Sequence, residues 1–133
     1  MYASGARDPG QIYQTVDLNS RVGGATPHGL VELLYDDLLL ALRQAAFAME
    51  RGQHERKSER VTRALSVLFA LEGGLDFAKG GEVAASLSSL YRGARERVTR
   101  ASIANDAQTV RDVAEGIAEI AAAWKQIGLA ATA

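Results

Sequence analysis

Proline is absent from the chain after Pro27, and this limits the possible folds more than any other feature of the sequence. The chain has 133 residues, and its two prolines are Pro9 and Pro27. Proline removes a backbone donor and breaks helices, so the long proline-free stretch 28–133 favours long helices. Breaks in it are marked by glycine or asparagine, at residues 52, 73–74, 80–81 and 105. The stretch therefore divides into four segments of helical length.

The ends of four helices can be predicted from these breaks and from capping residues. Thr26 is suited to cap the first helix, with Pro27 at its first position. Gly52 is suited to end that helix in a left-handed conformation. Asn105 or Asp106 is suited to cap the fourth helix. The predicted helices cover about residues 27–51, 55–75, 81–104 and 106–128.

Each segment carries apolar residues at the three- and four-residue spacing of an amphipathic helix. The predicted core positions are, helix by helix, Val31, Leu34, Leu38, Ala41, Leu42, Ala45 and Met49; Val61, Ala64, Leu65, Leu68 and Leu71; Val83, Leu87, Leu90, Ala94, Val98 and Ala101; and Val110, Val113, Ala114, Ile117, Ala121 and Trp124. Short connections make neighbouring helices antiparallel. The sequence therefore predicts an all-α fold, an antiparallel up-down four-helix bundle.

The segments outside the bundle differ in composition. Residues 1–25 are rich in Gly, Ser, Asp and Asn, with isolated apolar residues that cannot form a core of their own. They are predicted to be a flexible N-terminal segment, either a loose tail or a short helix that docks on the bundle. The bundle is predicted to cover residues 26–128, and residues 129–133 to form a disordered tail.

The first helix carries more apolar surface than a bundle core requires. Leu33, Leu40 and Phe47 recur every seven residues on nearly the opposite side from its core stripe. Neighbouring helices or the N-terminal segment would cover this second stripe in the simplest explanation. A groove for the amphipathic helix of a partner is the second explanation. A homodimer interface is the third.

The composition excludes several kinds of site and partner. The chain has no cysteine, which excludes disulfides and thiolate metal sites. Its net charge of -1 gives no general attraction to nucleic acid or to anionic lipid. No apolar run approaches the roughly 18 residues of a membrane-spanning helix, and the first ten residues lack a signal-peptide pattern. We therefore expect a cytoplasmic protein that neither binds nucleic acid nor inserts into a membrane.

The polar residues form no recognisable catalytic or metal-binding pattern. Asp36 and Asp37 are adjacent, so their side chains diverge by about 100° on a helix, and we expect both to be solvated. Neither His28 nor His54 has a glutamate three residues earlier, as a di-iron bundle requires. The glycines at 80–81 precede Glu-Val and not a phosphate-binding lysine. The sequence predicts no enzyme activity, no cofactor and no metal.

Several stretches of the sequence resemble the family of flagellar secretion chaperones called FliS. They are residues 26–37, residues 74–91, residues 105–108 with 123–126, and the front end with Tyr2 and residues 12–16. They occur in the family's order over essentially the whole chain. On these stretches the chain is identified as a member of that family.

This resemblance implies a function. Family members are antiparallel helical bundles that bind the disordered C-terminal segment of flagellin, which wraps around the bundle and becomes partly helical. The bound flagellin is kept from polymerising in the cytoplasm and is delivered to a protein of the membrane export gate. The family's N-terminal segment sits on the bundle, and its tyrosine and a nearby apolar residue match Tyr13 and Val16 here. The chain departs from many relatives at Arg92–Arg97, where they carry bulkier apolar residues.

The sequence therefore predicts a type III export chaperone for flagellin, acting as a monomer. Its predicted protein-binding residues are a groove on the first helix and a displaceable lid over it: Leu33, Leu40 and Phe47 for the groove, and Ile12, Tyr13 and Val16 for the lid. The alternative is a homodimeric helical regulatory or adaptor module without flagellin cargo.

Overall fold

A computed structural model describes the backbone of residues 26–132 and the side chains of residues 26–128. Four α-helices make up this part of the chain: α1 is Pro27–Glu50, α2 is His54–Gly73, α3 is Phe77–Ala104 and α4 is Ala107–Thr132. No strand occurs within residues 26–132. The predicted all-α four-helix bundle is confirmed.

The helix ends follow the predicted capping residues. The Thr26 hydroxyl accepts a hydrogen bond from the Gly29 amide at 3.0 Å at the start of α1. Gly52, just after α1, has a φ of 68°, which glycine adopts without steric cost. Asn105 ends α3 in the left-handed conformation, with a φ of 53°. Asp106 then accepts the Thr109 amide at 3.1 Å at the start of α4. Asn105 is therefore the C-cap of α3, and Asp106 is the N-cap of α4.

Two helix ends differ from their predicted positions. Helix α3 begins at Phe77, because the Asp76 carboxylate accepts the Lys79 amide at 3.0 Å and caps an earlier turn. That turn joins the rest of α3 through a kink at Gly81, whose φ of 50° and ψ of -124° are not helical. Helix α4 continues to Thr132, past its predicted end at Gly128. A single glycine weakens a helix without stopping it, and the alanines that follow favour helix.

The core is built around α1. Its buried residues are Tyr35, Leu38, Ala41, Leu42, Ala45, Ala46, Ala48 and Met49. The predicted core stripes of α1, α2 and α4 are confirmed, with their remaining members half-buried against the core: Val31, Leu34, Leu65, Ala121 and Trp124. Alanine is frequent among the buried residues, so the helices are able to approach closely.

The predicted core stripe of α3 is wrong at Val83 and Leu90, which are 68% and 39% exposed. Leu87, between them, is half-buried and packs against the core. Ala84, Ser88 and Tyr91 lie inside in their place. The two stripes differ by about one residue, or 100° around the helix axis. The inward Tyr91 is compatible with burial because its hydroxyl has a hydrogen-bond partner in α1.

Polar side chains join the helices around the core. Arg63 Nε donates to Asp37 Oδ2 at 3.0 Å, and Arg60 Nη1 donates to Gln44 Oε1 at 3.0 Å. The residue number rises on α1 as it falls on α2, so these two helices are antiparallel. The prediction that Asp37 is solvated is wrong, because this carboxylate is part of a half-buried ion pair. Asp36 is exposed, as predicted.

Candidate functional site

The second apolar stripe of α1 points away from the core. Leu40 and Phe47 are 53% and 47% exposed, and Leu33 is half-buried. Seven residues are close to two full turns, so the three side chains follow one line along the helix. The Arg51 guanidinium lies 4.7 Å from the centre of the Phe47 ring and covers part of it. The structure therefore brings the three predicted groove residues together on one side of the bundle.

Charged and polar side chains border this stripe. Asp37 and Gln44 come three residues before and four residues after Leu40, so both neighbour it on the helix surface. On the other border, Glu50 accepts from Arg111 Nη2 at 2.6 Å. The hydrogen bond from Arg111 lowers the pKa of the Glu50 carboxyl, and it raises the pKa of Arg111. Both borders are already engaged in contacts between helices, which leaves the apolar residues as the surface available to a partner.

A cleft with a volume of about 350 Å³ opens at one end of the bundle. It lies between the start of α1, the end of α2, the kinked first turns of α3 and Trp124 of α4. Its lining is largely apolar and includes Val31, Leu34, Leu71, Leu75, Val83 and Leu87. Cavities of this size and character accept apolar ligands or side chains.

The Tyr35 and Tyr91 side chains also line this cleft. Their hydroxyl oxygens lie 2.5 Å apart and form a buried hydrogen bond. Burial is the larger cause that raises the pKa of Tyr35, whereas its hydrogen bond with Tyr91 opposes the rise. Burial and then the hydrogen bond raise the pKa of Tyr91. Both phenols are therefore neutral and serve as fixed polar groups beneath an apolar surface.

A second groove, of about 220 Å³, runs between α3 and α4. Leu90 and Gly93 line it on α3, and Gly116 and Ile120 line it on α4. This groove was not predicted from the sequence, because Leu90 had the spacing of a core residue. The two glycines in helix interiors were the signal that could have found it, since alanine would favour either helix more.

The predicted lid residues Ile12, Tyr13 and Val16 lie outside the described residues, so their position stays a prediction. Within the described residues, no group of three or more His, Cys, Asp or Glu side chains is placed to hold a metal ion. None of the helices in that part of the chain is long and apolar enough to cross a membrane.

The described residues thus define a small all-helical bundle protein whose prominent surface features are apolar clefts and stripes. The chain belongs to the FliS family, because residues 9–131 match the family described as "Flagellar protein FliS". It is 39% identical over 118 residues to a flagellar secretion chaperone FliS of Salmonella typhimurium, which covers 88% of this chain and 87% of the relative.

Further relatives have similar coverage. The flagellar secretion chaperone FliS of Vibrio cholerae is 36% identical over 117 residues, 88% of this chain and 86% of the relative. The flagellar secretion chaperone FliSB of Pseudomonas aeruginosa is 34% identical over 115 residues, 86% of this chain and 91% of the relative. The similarity extends over nearly the full bundle, and the family predicted from the sequence is confirmed.

Proposed function

We propose that the protein is a cytoplasmic export chaperone that binds the disordered C-terminal segment of flagellin. Binding would keep flagellin from polymerising before export and would carry it to a protein of the flagellar export gate. Membership of the FliS family, with relatives named flagellar secretion chaperones, is the observation that carries this proposal. The outward stripe of α1 is the surface that we assign to the flagellin segment.

The apolar residues of the stripe are exposed to the extent expected of a binding surface that no partner covers. Full burial of a large apolar side chain is worth about 1.5–3 kcal/mol. Leu40 and Phe47 are about half exposed, so covering them would contribute about 1 kcal/mol each by this scale. Ordering a disordered segment costs several kcal/mol, so these two contacts alone are insufficient. The flagellin segment must therefore contact further apolar surface, and the cleft beside Trp124 provides some of it.

The proposed binding of flagellin needs no catalytic step. Apolar surface that flagellin would otherwise expose is covered by apolar surface of the bundle, and the free energy comes from removing both from water. We therefore propose a binding protein that is not an enzyme and that requires neither a cofactor nor a metal. The charges bordering the stripe would position the segment rather than supply most of the affinity.

The test is calorimetry with a peptide of about 40 residues from the flagellin C-terminus, long enough to form several helical turns. Wild-type protein should bind it one to one, with a negative change in heat capacity from buried apolar surface. Leu40→Asp should weaken binding, because a carboxylate would lie in the apolar contact. The matched control is Ile103→Asp, since Ile103 is an 84% exposed aliphatic residue elsewhere on the bundle.

The outcomes separate the interpretations. Loss of binding with Leu40→Asp but not with Ile103→Asp, while both variants remain folded, supports the stripe as the flagellin surface. Equal affinity in all three proteins would show that the stripe is not used. The homodimeric adaptor would instead be favoured if the wild-type protein does not bind the peptide and light scattering gives twice the mass of one chain.

A further inference from the structure

A short segment between α2 and the main part of α3 is enclosed by two pairs of glycines, residues 73–74 and 80–81. Within this segment, Leu75 is half-buried and packs against the core, whereas residues 76–79 are exposed. Three residues of the segment line the apolar cleft at one end of the bundle, so the segment forms part of one wall of that cleft. We call residues 75–79 the flap.

The backbone at Gly81 has a conformation that residues with a side chain avoid. Its φ of 50° and ψ of -124° are close to the first central position of a type II′ turn, which favours glycine. This conformation places a kink in α3 between the flap and the rest of the helix. With helical angles of about -63° and -42° at Gly81, the turn before it would instead continue the axis of α3. The chain therefore has two possible arrangements at this point, one kinked and one straight.

Gly80 is also needed by the kinked arrangement. A Cβ atom built on Gly80 would lie 2.8 Å from the Cβ atom of Ala84, closer than two carbon atoms normally approach. In a regular helix, Cβ atoms four residues apart are separated by about 5–6 Å, so a side chain would fit. A straight helix would require neither Gly80 nor Gly81, and alanine would favour it more at both positions. The two glycines therefore meet separate requirements of one kink.

Different interactions stabilise the two arrangements. In the kinked arrangement Leu75 packs against the core, and the Asp76 carboxylate accepts the Lys79 amide at 3.0 Å and caps the turn. In the straight arrangement α3 would gain the backbone hydrogen bonds that a kink interrupts, but the flap would be redirected away from the cleft. Apolar packing favours one state and backbone hydrogen bonding favours the other, as in a hinge with two states.

We propose that the flap is a hinged cover of the apolar cleft, which opens when Gly81 leaves its kinked conformation and closes when Gly81 returns to it. The structure shows the closed state. Glycine suits such a hinge because it adopts both conformations without steric cost. Opening gives an apolar group from outside access to the cleft, beneath which the Tyr35 and Tyr91 hydroxyls lie. The inference concerns access to the cleft and does not depend on the proposed function.

Trp124 can report the state of the flap, because it lines the same cleft and is the only tryptophan of the chain. The experiment measures the quenching of its fluorescence by acrylamide in the full chain. Gly81→Ala disfavours the kink and favours a straight helix, so it should raise the quenching constant about twofold by shifting the population. Gly80→Ala should act in the same direction through its contact with Ala84.

The matched control is Gly93→Ala. Gly93 also lies within α3, but a Cβ atom built on it would meet no atom within 4 Å. This variant makes the same chemical change in the same helix without affecting the kink. Its quenching constant should equal that of the wild-type protein.

D-alanine in place of Gly81, introduced by chemical ligation, adds the same methyl group with the opposite conformational preference. A D residue favours the mirror images of the angles that an L residue favours. The mirror image of the Gly81 conformation has a φ of -50° and a ψ of 124°, close to the first central position of a type II turn. This protein should keep the flap closed, and its quenching constant should be lower than that of the wild-type protein.

A wild-type quenching constant between those of Gly81→Ala and the D-alanine protein supports the hinge. Equal constants in all folded proteins would overturn it. An equal rise with L- and D-alanine would also overturn it, because the methyl group and not the kink would then be responsible. If Gly81→Ala does not fold, the comparison of Gly80→Ala with the D-alanine protein decides in the same way.

Nuclear magnetic resonance separates a hinge from a rigid kink. Exchange between two states on the microsecond to millisecond timescale should broaden the amide signals of the flap and of Gly81 in the wild-type protein. The D-alanine protein should lose this broadening. A wild-type protein that shows no broadening and matches the D-alanine protein in quenching has a rigid kink, and the proposal is then wrong.

Discussion

The hydroxyl oxygens of Tyr35 in α1 and Tyr91 in α3 lie 2.5 Å apart, with side chains that are 1% and 2% exposed. One hydroxyl donates to the other, so two buried polar groups satisfy each other beneath the apolar cleft. The pair is separated by 56 residues in the sequence. The contact joins α1 to the face of α3 on which Ser88 is buried, while Leu90 lies at the surface.

We expect Tyr91→Phe to lower the free energy of unfolding by about 1–3 kcal/mol, because it leaves the Tyr35 hydroxyl buried without its partner. Tyr35→Phe should have a similar effect for the same reason. The double variant should lose less free energy of unfolding than the two single variants lose together, since it removes both polar groups. Urea denaturation of the four proteins measures this coupling. Strict additivity of the two losses would contradict a shared hydrogen bond.

The same pair should make the bundle sensitive to alkali. Burial raises the pKa of both phenols above the ordinary value of about 10, which applies to the unfolded chain. Their contribution to stability is therefore fully present below about pH 10 and is lost as the pH rises through the raised values. The urea midpoint of the wild-type protein should fall above about pH 10. The urea midpoint of the double phenylalanine variant should fall less. An equal fall in the two proteins would contradict a role for these two phenols in the sensitivity to alkali.

Asp106 should support the start of α4 at neutral pH and lose that role in acid. The Thr109 hydroxyl and then its backbone amide donate to the Asp106 carboxylate and lower its pKa. Its contribution is present above the unfolded value of about 3.9 and is lost as the pH falls through the lowered one. Asp106→Ala should therefore lower the melting temperature at pH 7 and have less effect in strong acid. Asp106→Asn, which keeps an acceptor, should be milder at neutral pH.

Removal of residues 1–20 tests the predicted lid. If Ile12, Tyr13 and Val16 cover the α1 stripe in the free protein, deletion should raise the affinity for the flagellin peptide because no competition remains. The melting temperature should change little, since the core residues lie within α1 to α4. Serine at these three positions in the full chain is the matched control and should act in the same direction. Unchanged affinity in both proteins would rule out a lid.

Local signals predicted the elements of this fold well. Thr26 and Gly52 mark the ends of α1, and Asp106 begins α4, because capping depends on side chains within one turn of the helix end. The core stripes of α1, α2 and α4 follow directly from their apolar period. The position of Leu40 and Phe47 opposite the core stripe of α1 was also predictable from the apolar period, but whether neighbouring helices cover them was not.

The sequence by itself determined four helices, most of their ends and three of their four buried faces, because these depend on neighbours within a few residues. Only the tertiary structure decided which face of α3 is buried. The apolar period favours a stripe that includes Val83 and Leu90, whereas the structure buries Ala84, Ser88 and Tyr91, and the Tyr91 hydroxyl has a buried partner in Tyr35. The groove beside Gly93 and Gly116 follows from that selection, because its shape depends on the rotation at which α3 packs against α4.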